Sequence, residues 1–195
     1  MRMKRFFLSL ALLIGLSVAQ VSWANSQIHT VRGFMPDLKF SLISAHKENF
    51  TEKDVAGKVV LMFFGYANCP DICPTTMAQL AEVMEKLGDD AAKVRILFVS
   101  VDPYRDQAAM LQDYVELFDD RYAVGLTGTP QQIAEVARRY RVAYQVEKPQ
   151  GDNPKAYEVA HSRGVYFFDG KGKARYLASD SEEVEALVEK TQSLL

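Results

Sequence analysis

The stretch FFGYANCPDICP, residues 63–74, decides the fold of this chain of 195 residues. It holds the only two cysteines, Cys69 and Cys73, which are separated by three residues and are each followed by a proline. A continuous apolar run, residues 59–64, leads into it, and apolar residues recur at three- and four-residue spacing after it. The first pattern indicates a buried strand and the second an amphipathic helix. The stretch therefore predicts a pair of thiols at a strand-to-helix junction.

The two prolines predict where the thiols lie relative to the helix. A residue that precedes proline is disfavoured in the helical region of backbone conformation, whereas proline itself suits the first helical position. We therefore expect Pro74 to begin the helix, Cys73 to be its N-cap and Cys69 to lie on the loop before it. The partial positive charge at the helix N-terminus would then stabilise a thiolate at Cys73 and lower its pKa.

Beyond this stretch the chain alternates between strand and helix patterns. Their order, strand–helix–strand–helix–helix–hairpin–helix, predicts an α/β fold with a central mixed sheet and helices on both faces. A thiol pair between a strand and the next helix is the thioredoxin arrangement, so we expect a thioredoxin-like three-layer fold. The predicted strands are residues 40–43, 59–64, 94–101, 165–168 and 174–177, with a short extended piece at 49–51. The predicted helices are residues 74–87, 106–118, 130–140 (after a capping box at Thr129) and 184–188 (capped by Asp180 and Glu183).

The N-terminus has the pattern of a secretory signal peptide. Three basic residues precede the apolar run 6–19, and Ser22 and Ala24 supply small residues at the −3 and −1 positions of a cleavage site. We therefore expect a signal peptide at 1–24, a flexible, exposed lead-in at 25–38 and one thioredoxin-like domain at 39–195, exported to the periplasm. The alternative is an uncleaved inner-membrane anchor facing the periplasm, although the run is shorter than the roughly 18–20 residues that span a bilayer.

The charge balance argues against a nucleic-acid partner. Three of the 23 basic residues and none of the 25 acidic residues lie in the first 24 positions, so the remainder carries a net charge of −5. Binding to phosphate backbones requires clustered lysine and arginine instead. We expect contact with a membrane only through a partner or through an uncleaved signal.

The cysteine spacing favours a chemical role for the thiols. A disulfide closing so short a loop removes little entropy from the unfolded chain, so a structural staple is a poor explanation. Oxidoreductases of the thioredoxin type usually have two residues between the cysteines and a proline before the later hairpin. Here there are three, and no proline follows Pro154. The segment YEVAHS, residues 157–162, takes that place, and in a thioredoxin-like fold it would bring His161 to face the thiols.

Two thiolates and one imidazole form a soft, low-coordination donor set that suits Cu(I). Zinc is the next candidate, but a structural zinc site requires four protein ligands. We expect His29 and His46 to be ordinary surface or structural residues, and Met77 and Met84 to belong to the core and not to a copper site.

Three motifs resemble those of the SCO/SenC family, and they occur in the family's order. They are FGYxxCPDICP at 64–74, VSVDPxRD at 99–106 and YxVxHS at 157–162. That family comprises copper-binding, thioredoxin-fold proteins that assist assembly of the dinuclear copper centre of cytochrome c oxidase. The resemblance implies that Cys69, Cys73 and His161 bind copper, as Cu(I) or Cu(II). It also implies that the partner is the copper-bearing oxidase subunit or another copper chaperone.

Two departures qualify this resemblance. Ala67 and Asn68 replace a Thr-His pair that the family frequently has before the first cysteine. Ala160 stands where the family usually has an aspartate, which would orient the imidazole or tune copper exchange. Asp102 ends a buried strand at the edge where open α/β sheets bind ligands, so we expect it either to support the copper ligands or to serve as a turn residue. Asp71, between the cysteines, is expected to stay in solvent.

Two enzymatic alternatives use the same thiols. The first is a thiol–disulfide reductase that keeps cysteines of the oxidase subunit or of a metallochaperone reduced, with attack by a thiolate through a mixed disulfide. The second is a peroxidase, which requires an activating arginine such as Arg163 near the reactive cysteine. The sequence leaves open whether the protein is an enzyme.

Overall fold

The computed structural model describes residues 28–147 except 32 and 34, residues 153–178 and residues 183–195. The predicted signal peptide and Asp180 lie outside these ranges, as do residues 148–152 of the segment 147–156, whose prolines, glycine and asparagine predict a loop. Within them, no helix combines the length and the apolarity needed to cross a bilayer.

The described residues form ten strands and four α-helices. The strands are β1 (His29–Thr30), β2 (Ser41–Ser44), β3 (Lys47–Thr51), β4 (Val59–Gly65), β5 (Val94–Ser100), β6 (Ala123–Leu126), β7 (Tyr144–Val146), β8 (Val159–His161), β9 (Val165–Phe168) and β10 (Ala174–Ala178). The helices are α1 (Ile72–Leu87), α2 (Ala108–Glu116), α3 (Pro130–Arg139) and α4 (Val184–Gln192).

Six strands make the central sheet, in the order β1–β10–β9–β4–β5–β6. β4 pairs in parallel with β5 and antiparallel with β9, so the sheet is mixed, as predicted. Every residue of β4 is buried, which is why its sequence is continuously apolar instead of alternating. Two small ribbons lie outside this sheet, β2 with β3 and β7 with β8.

Helices cover both faces of the sheet, as the order of elements predicted. Neighbouring residues of a strand point to opposite faces, and β4 illustrates this. The ring of Phe63 packs near Phe98, which in turn packs near Tyr114 of α2. The ring of Phe64 meets Tyr140, directly after α3, on the other face. The strand that precedes the cysteines is therefore held from both sides.

The start of α1 differs from the prediction. Its N-cap is Asp71, and Cys73 is the second helical residue, so the expectation that Cys73 is the N-cap is wrong. Pro74 becomes the third helical residue, where proline is tolerated because the first four N–H groups of a helix have no partner within the helix. The helix ends at Gly88, with φ 55°, as its sequence predicted.

Two further segments differ from the sequence-based expectations. In the expected exposed lead-in, β1 pairs with β10, and Val31, Met35 and Leu38 are buried. The strand β6 was not anticipated, because it is only four residues long and contains Gly125. A Cβ at Gly125 would lie 2.8 Å from the backbone of Leu111, so the glycine permits α2 to pack directly on this strand.

Candidate metal centre

The cysteine side of the site is built at the end of β4. Cys69 lies on the connecting loop, where its N–H donates to the carbonyl of Tyr66 at 3.1 Å, and its side chain is partly exposed. Cys73, in the first turn of α1, is fully buried. A Cβ on Gly65 would lie 2.7 Å from the Cys73 Sγ atom. The thiol therefore packs directly on the backbone of β4, and the glycine leaves the space for it.

The histidine side is carried by the ribbon of β7 and β8. His161 pairs with Tyr144 across this ribbon. The next residue fixes the end of the strand, since the N–H of Ser162 donates to the Ala143 carbonyl at 2.8 Å, and the Ser162 hydroxyl accepts from the Ala143 N–H at 2.9 Å. The imidazole packs edge-on near the rings of Phe63 and Tyr66, with centroids 6.3 and 5.9 Å away.

The structure brings together the three residues that the sequence selected as ligands. The Nε2 atom of His161 lies 3.6 Å from the Sγ atom of Cys73, and one donor atom from each of Cys69, Cys73 and His161 lies within 4.8 Å of the others. The Nδ1 atom of His161 lies 3.0 Å from the carbonyl oxygen of Ser162. A carbonyl oxygen only accepts, so Nδ1 carries the proton and Nε2 presents its lone pair to the thiols.

This donor set fits a single soft metal ion. Metal–sulfur and metal–nitrogen bonds of about 2.3 and 2.0 Å place ligand atoms about 3.5–4 Å apart around one ion. The three donors are already close to that separation. Two sulfurs and one imidazole nitrogen match the preference of Cu(I) for soft ligands and low coordination.

The pKa of Cys73 is raised in the structure, whereas the sequence predicted a lowered pKa. Burial raises the pKa of the Cys73 thiol, and the nearby Cys69 and Asp106 add to this, against a smaller opposing hydrogen bond from the backbone of Tyr66. The helix N-terminus was expected to lower this pKa, but removing the thiolate from water has the larger effect. In the metal-free protein Cys73 is therefore a thiol, and Cys69 is the more accessible sulfur.

Asp102 is buried, and its carboxylate contacts Arg105 and Tyr157 instead of the three proposed ligands. Its carboxylate forms an ion pair with the Nε atom of Arg105 and accepts a hydrogen bond from the hydroxyl of Tyr157 at 2.8 Å. Asp106, also buried, accepts from the Ser100 hydroxyl at 2.6 Å and from the N–H of Ala67 at 3.1 Å. Sequence reasoning identified Asp102 but missed the roles of Arg105, Asp106 and Tyr157. Their signal was present, since all three belong to the second and third motifs.

The remaining candidates fall into two groups. His29, His46, Asp71 and Arg163 are exposed. Met77 and Met84 are buried in the core, as expected. Arg163 is thus an exposed residue while Cys73 is enclosed, which gives the peroxidase interpretation little support.

Comparison with known proteins places these features in one family. A protein-family model described as SCO1/SenC matches residues 35–195. The SCO2-like protein of Rickettsia felis is 34% identical over 148 residues, which cover 74% of this chain and 71% of that protein. Protein SenC of Rhodobacter capsulatus is 37% identical over 132 residues, covering 68% of this chain and 58% of that protein.

Solved structures agree with the sequence relatives. The structure of Bradyrhizobium japonicum ScoI with copper bound matches with a TM-score of 0.73 at 34% identity, covering 82% of this chain and 99% of that one. Yeast Sco1 with copper bound matches with a TM-score of 0.69 at 30% identity, covering 83% and 91% of the two chains. The prediction of a thioredoxin-like α/β fold is thereby confirmed. With the family model spanning nearly all of the described residues, the chain belongs to the SCO1/SenC family.

Proposed function

We propose that this protein is a copper chaperone that binds one copper ion through Cys69, Cys73 and His161. The observation that carries the proposal is the convergence of two sulfurs and one imidazole nitrogen within 4.8 Å. They come from segments about ninety residues apart in the chain, and the tautomer of His161 leaves its Nε2 lone pair on the side of the thiols. Copper-bound ScoI of Bradyrhizobium japonicum and copper-bound yeast Sco1 have the same fold.

The proposed acceptor is the copper-bearing subunit of cytochrome c oxidase, whose dinuclear copper centre would be filled during assembly. Another copper chaperone is the alternative partner. The proposed site of action is the periplasm, following export by the N-terminal segment, with attachment to the inner membrane as the alternative. These assignments rest on membership of the family, and the site geometry supplies the metal-binding chemistry that they require.

A copper titration of the reduced full-length chain tests the proposal. We expect one copper ion per chain. Separate Cys69→Ser, Cys73→Ser and His161→Ala variants should each lose tight binding, because a three-coordinate site lacks a spare ligand. His46→Ala is the matched control, since this exposed histidine should leave the affinity unchanged. Unchanged copper affinity in His161→Ala with a native fold would remove His161 from the ligand set.

One observation supports a second function, that of a thiol–disulfide reductase. Cys69 is partly exposed, whereas Cys73 lies buried beside it. In such a reductase an accessible cysteine attacks the substrate disulfide, and a second, less accessible cysteine resolves the mixed disulfide. The Cys69 thiolate would attack a substrate disulfide, forming a mixed disulfide and releasing one substrate thiolate. The Cys73 thiol would then transfer its proton to the released substrate thiolate and attack Cys69, releasing the second substrate thiolate and leaving a Cys69–Cys73 disulfide. The substrate gains two electrons and the protein loses two.

The two functions separate at His161. Reduction of a disulfide needs only the cysteines, so a reductase should keep its rate in His161→Ala. A copper chaperone should lose its metal affinity in the same variant. Measuring disulfide reduction and copper binding on the same His161→Ala preparation therefore distinguishes the two functions.

A further inference from the structure

We propose that the loop Ser100–Asp106 positions both sides of the metal centre at once, through two separate polar contacts. Asp102 and Arg105 hold the segment that carries His161, and Asp106 holds the loop that carries Cys69. The role in copper binding rests on the function proposed above, whereas the positioning itself is a property of the metal-free chain.

The first contact joins this loop to the histidine side. The Nη1 atom of Arg105 donates to the carbonyls of Lys155 and Tyr157, at 3.0 and 2.7 Å. The guanidinium lies over the ring of Tyr157, 3.7 Å from its centroid, and the Tyr157 hydroxyl donates to Asp102 at 2.8 Å. Since β8 begins only two residues after Tyr157, these bonds fix the chain immediately before the strand that carries His161.

The second contact joins the same loop to the cysteine side. The Oδ2 atom of Asp106 accepts from the N–H of Ala67, at 3.1 Å, and from the Ser100 hydroxyl, at 2.6 Å. Ser100 in turn accepts the N–H of Asp102 at 3.0 Å. The Ser100 hydroxyl thus links the carboxylate of Asp106 to the backbone of Asp102, and Ala67 lies two residues before Cys69.

The chemistry of Arg105 explains why another cation would not replace it. Its guanidinium is planar and presents several donors in a fixed arrangement, so it binds a carboxylate and two carbonyls while stacking on a ring. A lysine has one flexible ammonium group and makes few of these contacts together. The Arg105 side chain is 8% exposed and that of Asp102 is 0% exposed, so the pair is shielded from water and from salt.

Amide hydrogen exchange on the metal-free full-length chain tests the two contacts separately. In Arg105→Lys we expect the amides of Val159–Ser162 to exchange at least about tenfold faster, because the preceding segment is released. The amide of Ala67 should be unchanged in that variant. In Asp106→Ala the Ala67 amide should exchange faster while Val159–Ser162 keep their rate, and Asp106→Asn, whose side-chain oxygen still accepts, should restore protection at Ala67.

Milder variants and a matched control guard against a general loss of structure. Tyr157→Phe keeps the ring beneath Arg105 and removes only the bond to Asp102, so it should give a smaller change on the histidine side. Ser100→Ala removes only the hydrogen bond from the Ser100 hydroxyl to Asp106, so it should give a smaller change at Ala67. Arg121→Lys is the control, because Arg121 also stacks on a tyrosine, at 5.2 Å. Arg121 precedes β6, which is parallel to β5, and so lies at the opposite end of these strands from the Ser100–Asp106 loop. Arg121→Lys should change neither region.

Copper affinity is the second measurement. Loss of a group that orients a metal ligand typically weakens metal binding by about 10–100-fold, so we expect a loss of that size in Arg105→Lys and a smaller one in Tyr157→Phe. Native exchange rates at Val159–Ser162 in both Arg105→Lys and Tyr157→Phe would overturn the positioning role of the first contact. A native rate at Ala67 in both Asp106→Ala and Ser100→Ala would overturn the second. Failure of the wild-type chain to bind copper would contradict the proposed function alone, because the exchange rates still decide the positioning.

Discussion

The two sides of the metal centre are built in different ways. The cysteine side belongs to the core: β4 is buried throughout, and Cys73 lies in a helix whose inner face is fully enclosed. The histidine side is a ribbon of two three-residue strands, β7 and β8, outside the central sheet. Hydrogen bonds, an ion pair and the edge-on contacts of His161 with two aromatic rings hold this ribbon in place. The buried Cys73 is therefore fixed by hydrophobic packing, and His161 by a small number of polar contacts.

This difference suits the proposed copper chaperone, which would both hold and release an ion. A thiol embedded in the core keeps its position whether or not a metal is bound. A ligand on a short ribbon moves at the cost of a few hydrogen bonds, and such elements belong to the less stable parts of a fold. We infer that entry and exit of the metal proceed through displacement of the histidine side, while the cysteine side stays fixed.

The largest expected effect is the difference in hydrogen exchange between the two sides. Amides in β4 and β5 should exchange only through global unfolding, and those in β7 and β8 through local opening. With a typical unfolding free energy of 5–15 kcal/mol, exchange rates of the two groups should differ by at least about 10³-fold. Mass spectrometry or NMR of the metal-free chain measures this directly. Equal protection would mean that the ribbon is as firmly fixed as the core.

The next prediction concerns the cysteine side, where a larger residue at position 65 would fill the space that Cys73 occupies. Gly65→Ala would place a methyl group 2.7 Å from the Cys73 Sγ atom and 3.0 Å from the rings of Phe63 and Phe98. Overpacking of this kind costs about 1–3 kcal/mol of unfolding free energy, which denaturant titration would detect. It should also weaken copper binding, because the thiol must move.

A glycine remote from the site provides the control for this substitution. A Cβ at Gly170 would lie 3.3 Å from the carbonyl oxygen of Gly57, a tight but less severe contact at a turn distant from the ligands. Gly170→Ala should leave copper affinity unchanged. If Gly65→Ala bound copper as well as Gly170→Ala does, the packing of Cys73 on β4 would be irrelevant to the site.

The same contrast explains what the sequence could predict. β4, β5 and α1 have strong apolar periodicity, because hydrophobic burial determines them, and all three were predicted to within about two residues. The ribbon of β7 and β8 was missed, because only one of its six residues is buried and its order depends on polar contacts with a distant loop. The ligand set was accessible through the family motifs. The pKa of Cys73 was not, because burial of the thiol follows from its tertiary packing on Gly65 of β4.

A third prediction concerns a carboxylate outside the centre. Asp169 accepts from the N–H groups of Lys171 and Lys173 and pairs with Arg175 at the β9–β10 turn. Burial alone would raise the pKa of Asp169, but these hydrogen bonds outweigh it and lower the pKa. Asp169→Asn should lower the unfolding free energy by about 1–2 kcal/mol at neutral pH. Hydrogen bonds to charged groups contribute about 1.5–3 kcal/mol, and the asparagine oxygen still accepts a neutral hydrogen bond.

The pH dependence of this effect follows from the sign of the shift. A lowered folded-state pKa contributes stability that is fully present above the unfolded value of about 3.9 and is lost as the pH falls through the folded value. The difference between wild type and Asp169→Asn should therefore be constant from pH 7 to about pH 5 and shrink below about pH 4. Copper affinity at pH 7 should not change, because Phe168 pairs with Val60 near the start of β4, and the ligands follow its end. A change in copper affinity would show that the site is coupled to the opposite end of β4.

The smallest expected effect comes from Ala160, where the motif resemblance leads us to expect a carboxylate. Ala160 is exposed and alternates with Val159 and His161 along β8, so its side chain points away from the ligand face. The usual role of a carboxylate beside a histidine ligand is to accept its other ring N–H. Here the Ser162 carbonyl already accepts from Nδ1 of His161, at 3.0 Å. Ala160→Asp should therefore change stability by less than about 0.5 kcal/mol and copper affinity by less than about threefold, as judged by competition titration. A tenfold increase in affinity would mean that the backbone carbonyl orients the imidazole poorly, and that the histidine side lacks a contact that a carboxylate restores.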